Sequence, residues 1–102
     1  MPQYPLNVPI GALLSPAITT NTTTTINLGN KAVLAGIVCT NAGSAWTIQF
    51  YNGNPGSGGT AIGPAIAVTT GLNPLLQIRA SQGLYAVTAG TTAGSLQVAY
   101  YN

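Results

Sequence analysis

The chain has 102 residues, enough for one domain around one core, and a domain of this size buries roughly 65% of the surface its unfolded chain exposes. Lys31 and Arg79 are its only charged side chains, against no Asp, Glu or His, while 46% of the residues are hydrophobic. These numbers exclude a disordered tail, which would be charge-rich and apolar-poor, a phosphate-binding surface, which needs several Lys or Arg, and a carboxylate or histidine metal centre. Ordinary domains carry about 25% charged residues. Here Thr, Asn, Ser, Gln and Gly fill the polar positions. A surface with so little charge has little repulsion to keep monomers apart, which points to an assembly in which much of it is covered.

Residues 1–16 carry Pro2, Pro5, Pro9 and Pro16, a spacing that blocks a helix and keeps the backbone extended. Tyr4, Leu6, Val8 and Ile10 alternate along this stretch, so one side of it wants cover. Two readings stand: an edge strand folded back on its own domain, or an arm that reaches a neighbouring subunit or an underlying lattice by backbone pairing and alternate apolar anchors. The expected organisation is an arm over residues 1–16 and a sandwich domain over residues 17–102. No run reaches the ~20 apolar residues that span a bilayer, and the N-terminus lacks the basic and apolar regions of an export signal. Neither membrane anchoring nor export is expected.

Threonine dominates the first expected strand, residues 22–28, where its β-propensity suits a half-wet face. Asn21-Thr22-Thr23 matches a glycosylation sequon, which carries little meaning without export. The chain's centre is residues 32–53. Two apolar runs, residues 32–40 and 45–51, are joined by Asn41-Ala42-Gly43-Ser44 and read as a β-hairpin. The second run alternates, with Trp46, Ile48 and Phe50 on one face and Thr47, Gln49 and Tyr51 on the other. In the first run Val33, Ala35, Ile37 and Cys39 fall on one face and Leu34, Gly36 and Val38 on the other. That strand reads as central and covered on both sides, by another sheet or by a neighbouring subunit. Cys39, the single cysteine, reads as a buried structural thiol; an intermolecular bridge or a reactive thiol is the other reading.

Asn52-Gly53 opens a Gly-rich loop over residues 53–59 that no helix or strand would tolerate. Without a following Lys-Ser/Thr it is no phosphate cradle. Residues 60–69 form a strand broken by Gly63-Pro64, the mark of a bulge or an edge. Residues 74–80 place Leu76 and Ile78 opposite Leu75, Gln77 and Arg79. Residues 84–89 and 95–101 read as a last hairpin, the second strand setting Leu96, Val98 and Tyr100 against Gln97, Ala99 and Tyr101. With no helical periodicity free of Gly or Pro, about seven to eight short strands indicate an all-β fold, a single antiparallel β-sandwich or jelly roll.

The apolar strand, the small polar turn, Trp46-Thr47-Ile48-Gln49-Phe50-Tyr51-Asn52-Gly53, the Gly/Ser loop, Gln82-Gly83-Leu84-Tyr85-Ala86-Val87-Thr88-Ala89-Gly90-Thr91 and a closing strand ending at Tyr100 together carry a resemblance. This succession, over residues 32–101, resembles the small β-sandwich structural proteins of tailed bacteriophages, with Asn52 where those proteins have an acidic turn residue. The resemblance implies a virion component that decorates or stabilises a capsid. Its partners would be itself, as a homo-oligomer with a trimer preferred, and other capsid proteins, with neither nucleic acid nor membrane. It implies a place on the capsid surface after synthesis in the host cytoplasm.

No enzyme is expected. General acid–base catalysis relies mostly on His, Asp or Glu, and among the many hydroxyls only Lys31 could serve as a base. No catalytic, cofactor-binding or metal-binding residue is assigned, and no cofactor. The interaction residues expected are the arm's Tyr4, Leu6, Val8 and Ile10, with Tyr51, Tyr85 and Tyr101 as exposed aromatic contacts. Lys31 and Arg79 read as solvated surface charges, or as partners for a carboxylate on another protein. An alternative function is a carbohydrate-binding, adhesin- or lectin-like β-sandwich in which tyrosines stack on a glycan. A third, an ice-binding surface, rests on Thr19, Thr20 and Thr22 to Thr25, whose alternation leaves only half of them on one face.

Overall fold

The computed structural model describes residues 11–102. Eight strands form within them: β1 (Leu13–Leu14), β2 (Thr23–Asn27), β3 (Ala32–Asn41), β4 (Thr47–Asn52), β5 (Thr60–Ala67), β6 (Gly71–Ala80), β7 (Leu84–Ala89) and β8 (Ser95–Tyr101). They make a front sheet in the order β1-β8-β3-β6 and a back sheet in the order β2-β7-β4-β5. The pairing is concentric and antiparallel: β1 with β8, β2 with β7, β3 with β6 and β4 with β5. It is as if one long ribbon had been rolled so that β8 meets β3 and β7 meets β4. Of the two architectures expected from the sequence, an antiparallel sandwich in general or a jelly roll in particular, this strand order is the jelly roll.

Alternation builds the core. Ile48 and Phe50 of β4, with Trp46 just before it, are at most 2% exposed, while Thr47, Gln49 and Tyr51 between them face outward. Leu34, Ile37, Cys39, Leu96 and Val98 meet them from the front sheet, and Leu84 and Ala86 complete the back. Cys39 is a free, buried thiol in this cluster.

Two expected hairpins are not hairpins. β3 lies between β8 and β6 in the front sheet while β4 lies between β7 and β5 in the back, so residues 41–46 cross between sheets. The same holds for β7 and β8. Turn residues announce that the chain changes direction; they do not say which sheet it enters, and a strand as apolar as β3 is filled by two partners distant in sequence. The two crossings lie side by side, Ser44 and Thr92 exchanging backbone N–H···O=C bonds of 2.9 and 3.1 Å. Gly43 makes this approach possible: its φ is +63°, and a Cβ there would run into the Thr92 carbonyl. Only β4 and β5, among described strands consecutive in sequence, form a hairpin, and its loop contains a short 3₁₀ turn, Pro55–Ser57, within the stretch expected to be irregular.

Bulges correct the expected faces. Both ladders of β3 slip between Leu34 and Gly36, so Leu34 points inward with Ile37 and Cys39, whereas regular alternation had put it opposite them. β6 slips at the same level: Ile78 faces the core side with Leu34, but Leu76, expected beside it, is 78% exposed. β5 is an edge strand whose ladder slips across Gly63-Pro64, as its sequence announced. At the N-terminal side the sandwich starts earlier than residue 17. Leu13 and Leu14 pair with Tyr100 and Ala99. Ser15, 2% exposed, then fastens the chain to β8: its N–H donates to the Val98 carbonyl and its Oγ accepts from the Val98 N–H, each at 2.9 Å.

Candidate functional site

The sandwich presents two outer faces of opposite character. Residues directly opposite each other in an antiparallel pair project to the same side, so the register gives each face row by row. On the front sheet the rows are Tyr101, Val33 and Arg79; then Leu14, Ala99, Gly36 and Pro74; then Gln97, Val38 and Leu72. Apart from Arg79 and Gln97 these rows are apolar. Gln97 donates its amide to the Ser15 carbonyl at 3.0 Å, and Arg79, at one corner, donates from Nε and Nη2 to the Asn30 carbonyl at 3.3 and 3.2 Å. β3 is therefore central and apolar on both sides as its sequence implies. Its inner side packs on the back sheet, and its outer residues Val33 and Val38 are only half-buried, with nothing from the described residues laid over them.

The paired bulges leave a shallow depression of about 270 Å³ in this face, lined by Ala35, Gly36, Val38, Pro74 and Ala99, with Leu72 on its rim. Gly36 sits at its floor because β6 passes too close for a side chain: a Cβ would lie 2.7 Å from the Asn73 carbonyl oxygen. Leu72 itself is 78% exposed. A smaller apolar cleft of about 140 Å³ opens between the edges of β5 and β6, lined by Ile62, Pro64, Ile66, Leu75, Leu76 and Ile78.

The back sheet's outer rows are Thr25, Tyr85, Tyr51 and Ala61, then Thr23, Val87 and Gln49, then Ala89, Thr47 and Ala67. Hydroxyls and amides stand among small apolar groups, and several are satisfied on their own sheet: Thr47 Oγ1 donates to the Ala89 carbonyl at 3.1 Å and Gln49 Nε2 to the Gly63 carbonyl at 2.9 Å.

Tyr51 and Tyr85 are thus brought together as a cross-strand pair, while Tyr101 lies on the opposite face of the sandwich, 36% exposed. Tyr85 is only 8% exposed, its ring edge lying over Gly83, so the pair offers no open stacking platform. The arm residues Tyr4, Leu6, Val8 and Ile10 lie outside the described residues. Asn21 is not free for a glycan: its Oδ1 accepts from the Trp46 indole N–H at 2.8 Å and its Nδ2 donates to the Gly90 carbonyl at 2.9 Å. Among the described residues no three His, Cys, Asp or Glu side chains cluster to hold a metal, and no helix is long and apolar enough to cross a membrane.

Leu72 and Pro74 are not legible as surface contacts in the sequence, because the alternation that marks the strand is clear only from Pro74 onward, whereas the strand begins at Gly71. The signal that could have found the face was the two-sided apolar pattern of β3. No family model, curated protein or solved structure matches the chain.

Proposed function

We propose that this chain is a non-enzymatic structural protein of a phage-type capsid, attached to its neighbours through the outer face of the front sheet and reinforced by the arm of residues 1–10. The observation that carries this reading is the apolar face around Val33, Val38, Leu72 and Ala99, with nothing from the described residues laid over it, on a chain with two charged side chains. The four strands, about 4.8 Å apart and averaging about 23 Å in length, give this face about 440 Å² in outline. That is the size of the largest apolar patch on many monomers, and such patches are often functional. With about as much area covered on the partner, the total of about 900 Å² falls below the 1,200 to 2,000 Å² of stable complexes, so the face alone holds weakly and further contact must come from elsewhere. The alternating anchors Tyr4, Leu6, Val8 and Ile10 are the segment suited to supply it.

The outcome is a protein that grips a shell or its own copies with one face and turns the hydroxyl- and amide-bearing back sheet to solvent. The covered ring of Tyr85 counts against a glycan platform on that sheet. The test is co-sedimentation of the full chain with tailed-phage capsid shells stripped of their decoration protein, beside sedimentation velocity of the chain alone. Binding or self-association that is lost with Val38→Asp supports the reading. A monomer at all concentrations that ignores the shells overturns it.

A further inference from the structure

Resting on that reading of the front face, we propose its occupant: a second copy of this chain, packed face to face across a two-fold axis, with Leu72 of each copy seated in the depression of the other. Three observations converge on this. First, knob and hole lie on one patch. Leu72 stands 78% exposed on the rim of a depression of about 270 Å³ floored by Gly36 and walled by Val38, Pro74 and Ala99. The depression is open and shallow, and its apolar floor and walls give an incoming leucine side chain a surface to seat on. A knob beside its own hole is the self-complementary arrangement of a two-fold contact, in which residue i meets j and j meets i. The three-fold ring implied by the phage resemblance would instead need two different patches.

Second, the face can meet itself without electrostatic cost. Its one charge, Arg79, sits at a corner and already donates to the Asn30 carbonyl. In a two-fold contact the groups near the axis meet their own copies, which costs nothing on a face whose one charge lies at a corner; a partner of ordinary composition would have to strip water from cations that this face has no carboxylate to receive. Third, the area fits a modest dimer. About 440 Å² from each copy gives a total of about 900 Å², below the 1,200 to 2,000 Å² of stable complexes and within the class of weak, reversible ones.

Sedimentation velocity on the full chain from about 1 µM to 1 mM is the test, with Leu72→Asp against Leu28→Asp as control. Leu28 is 77% exposed in the link between β2 and β3, so both variants exchange an equally exposed leucine for the same charge. Wild type is expected to dimerise reversibly, Leu28→Asp to match it, and Leu72→Asp to weaken the dimer about a hundredfold or more, since two leucines are withdrawn per dimer at tenfold or more each. Val38→Thr, which keeps shape and adds no charge, should weaken it by a smaller factor, and unchanged circular dichroism of each variant shows that folding is intact. Wild type that stays monomeric, or a dimer indifferent to Leu72→Asp, overturns the inference. If the monomer still binds stripped shells and loses them with Leu72→Asp, the occupant is another protein: the two-fold falls and the structural function stands. If neither is seen, both fall.

Discussion

Replacing Asn21 by Ala tests whether the polar clasp at the end of the sandwich holds the core's largest side chain. Trp46 is 2% exposed, and its indole N–H donates to Asn21 Oδ1 at 2.8 Å; Asn21 Nδ2 in turn donates to the Gly90 carbonyl at 2.9 Å, tying the β1–β2 link to the β7–β8 crossing. With Asn21→Ala the indole N–H of the buried Trp46 loses its acceptor at a half-buried point, which costs about 1 to 3 kcal/mol, and the more exposed bond to Gly90 adds less. At about 4 to 8 °C per kcal/mol for a domain near this size, the melting temperature should fall by about 5 to 20 °C. Thermal melts followed by circular dichroism measure it, and Trp46, the only tryptophan, reports its own environment by emission. The cycle is closed with Trp46→Phe, alone and combined with Asn21→Ala. In that background there is no indole N–H to orphan, so Asn21→Ala should cost at least about 0.5 kcal/mol less than in the wild type. A fall of under about 2 °C for the single variant, or an equal cost in both backgrounds, would show that water satisfies the indole and that the reasoning is wrong.

Gly43→Ala should destabilise by about 1 to 3 kcal/mol, because a side chain must adopt positive φ and also push the Thr92 carbonyl away; denaturant unfolding would read it, and an unchanged midpoint would refute the tight crossing. Deleting residues 1–10 leaves every described strand and hydrogen bond in place and should preserve folding, whereas deleting residues 1–16 removes β1 and the buried Ser15 contacts to Val98 and should lower the melting temperature clearly. Equal melting of the two truncations would show that β1 contributes nothing. Acid unfolding works through carboxylates held ionised and histidines held neutral in the native state, and this chain has neither side chain, so melting at about pH 3 and pH 7 should differ by no more than a few degrees. A large fall at the lower pH would reveal an acid-labile contact needed for folding.

What the sequence made legible was local. The alternation of Trp46, Ile48 and Phe50 gave a strand and its inner face, and Gly63-Pro64 marked an edge strand with a bulge, because side-chain period and missing donors are properties of a few consecutive residues. What stayed hidden depended on partners far along the chain. Whether residues 41–46 return within a sheet or cross to the other is decided by β8 and β6 competing for β3, which no turn motif encodes. The slip at Gly36 is equally non-local: it exists because two ladders shift together there, and it puts Leu34 and Ile37 on one face where strict alternation assigns them to opposite faces. The aromatic candidates show the same limit, for Tyr51 and Tyr85 meet only through the β4–β7 register, and Tyr85 is covered besides, its ring edge lying against Gly83. Asn21 was visible only as a sequon, while its work as an acceptor depends on Trp46, packed from another strand's end.

The contrast between the faces also fixes how assembly should respond to solvent. A contact steered by charges weakens with salt over the range where the Debye length shrinks from about 10 Å at 0.1 M to about 3 Å at 1 M. The front face offers only Arg79, already held by the Asn30 carbonyl, so simple salt has almost nothing to screen there. Apolar burial behaves differently: it weakens on cooling and is strengthened by salts such as sulfate that are excluded from protein surface. Association through Val33, Val38, Leu72 and Ala99 should therefore hold constant between low and moderate sodium chloride, tighten in ammonium sulfate and loosen toward 4 °C. Sedimentation of the full chain under these conditions separates the two forces. Dissociation by about 0.5 M sodium chloride would mean that Lys31 or Arg79 carries the contact through a partner's carboxylate, and the apolar face would no longer be its basis.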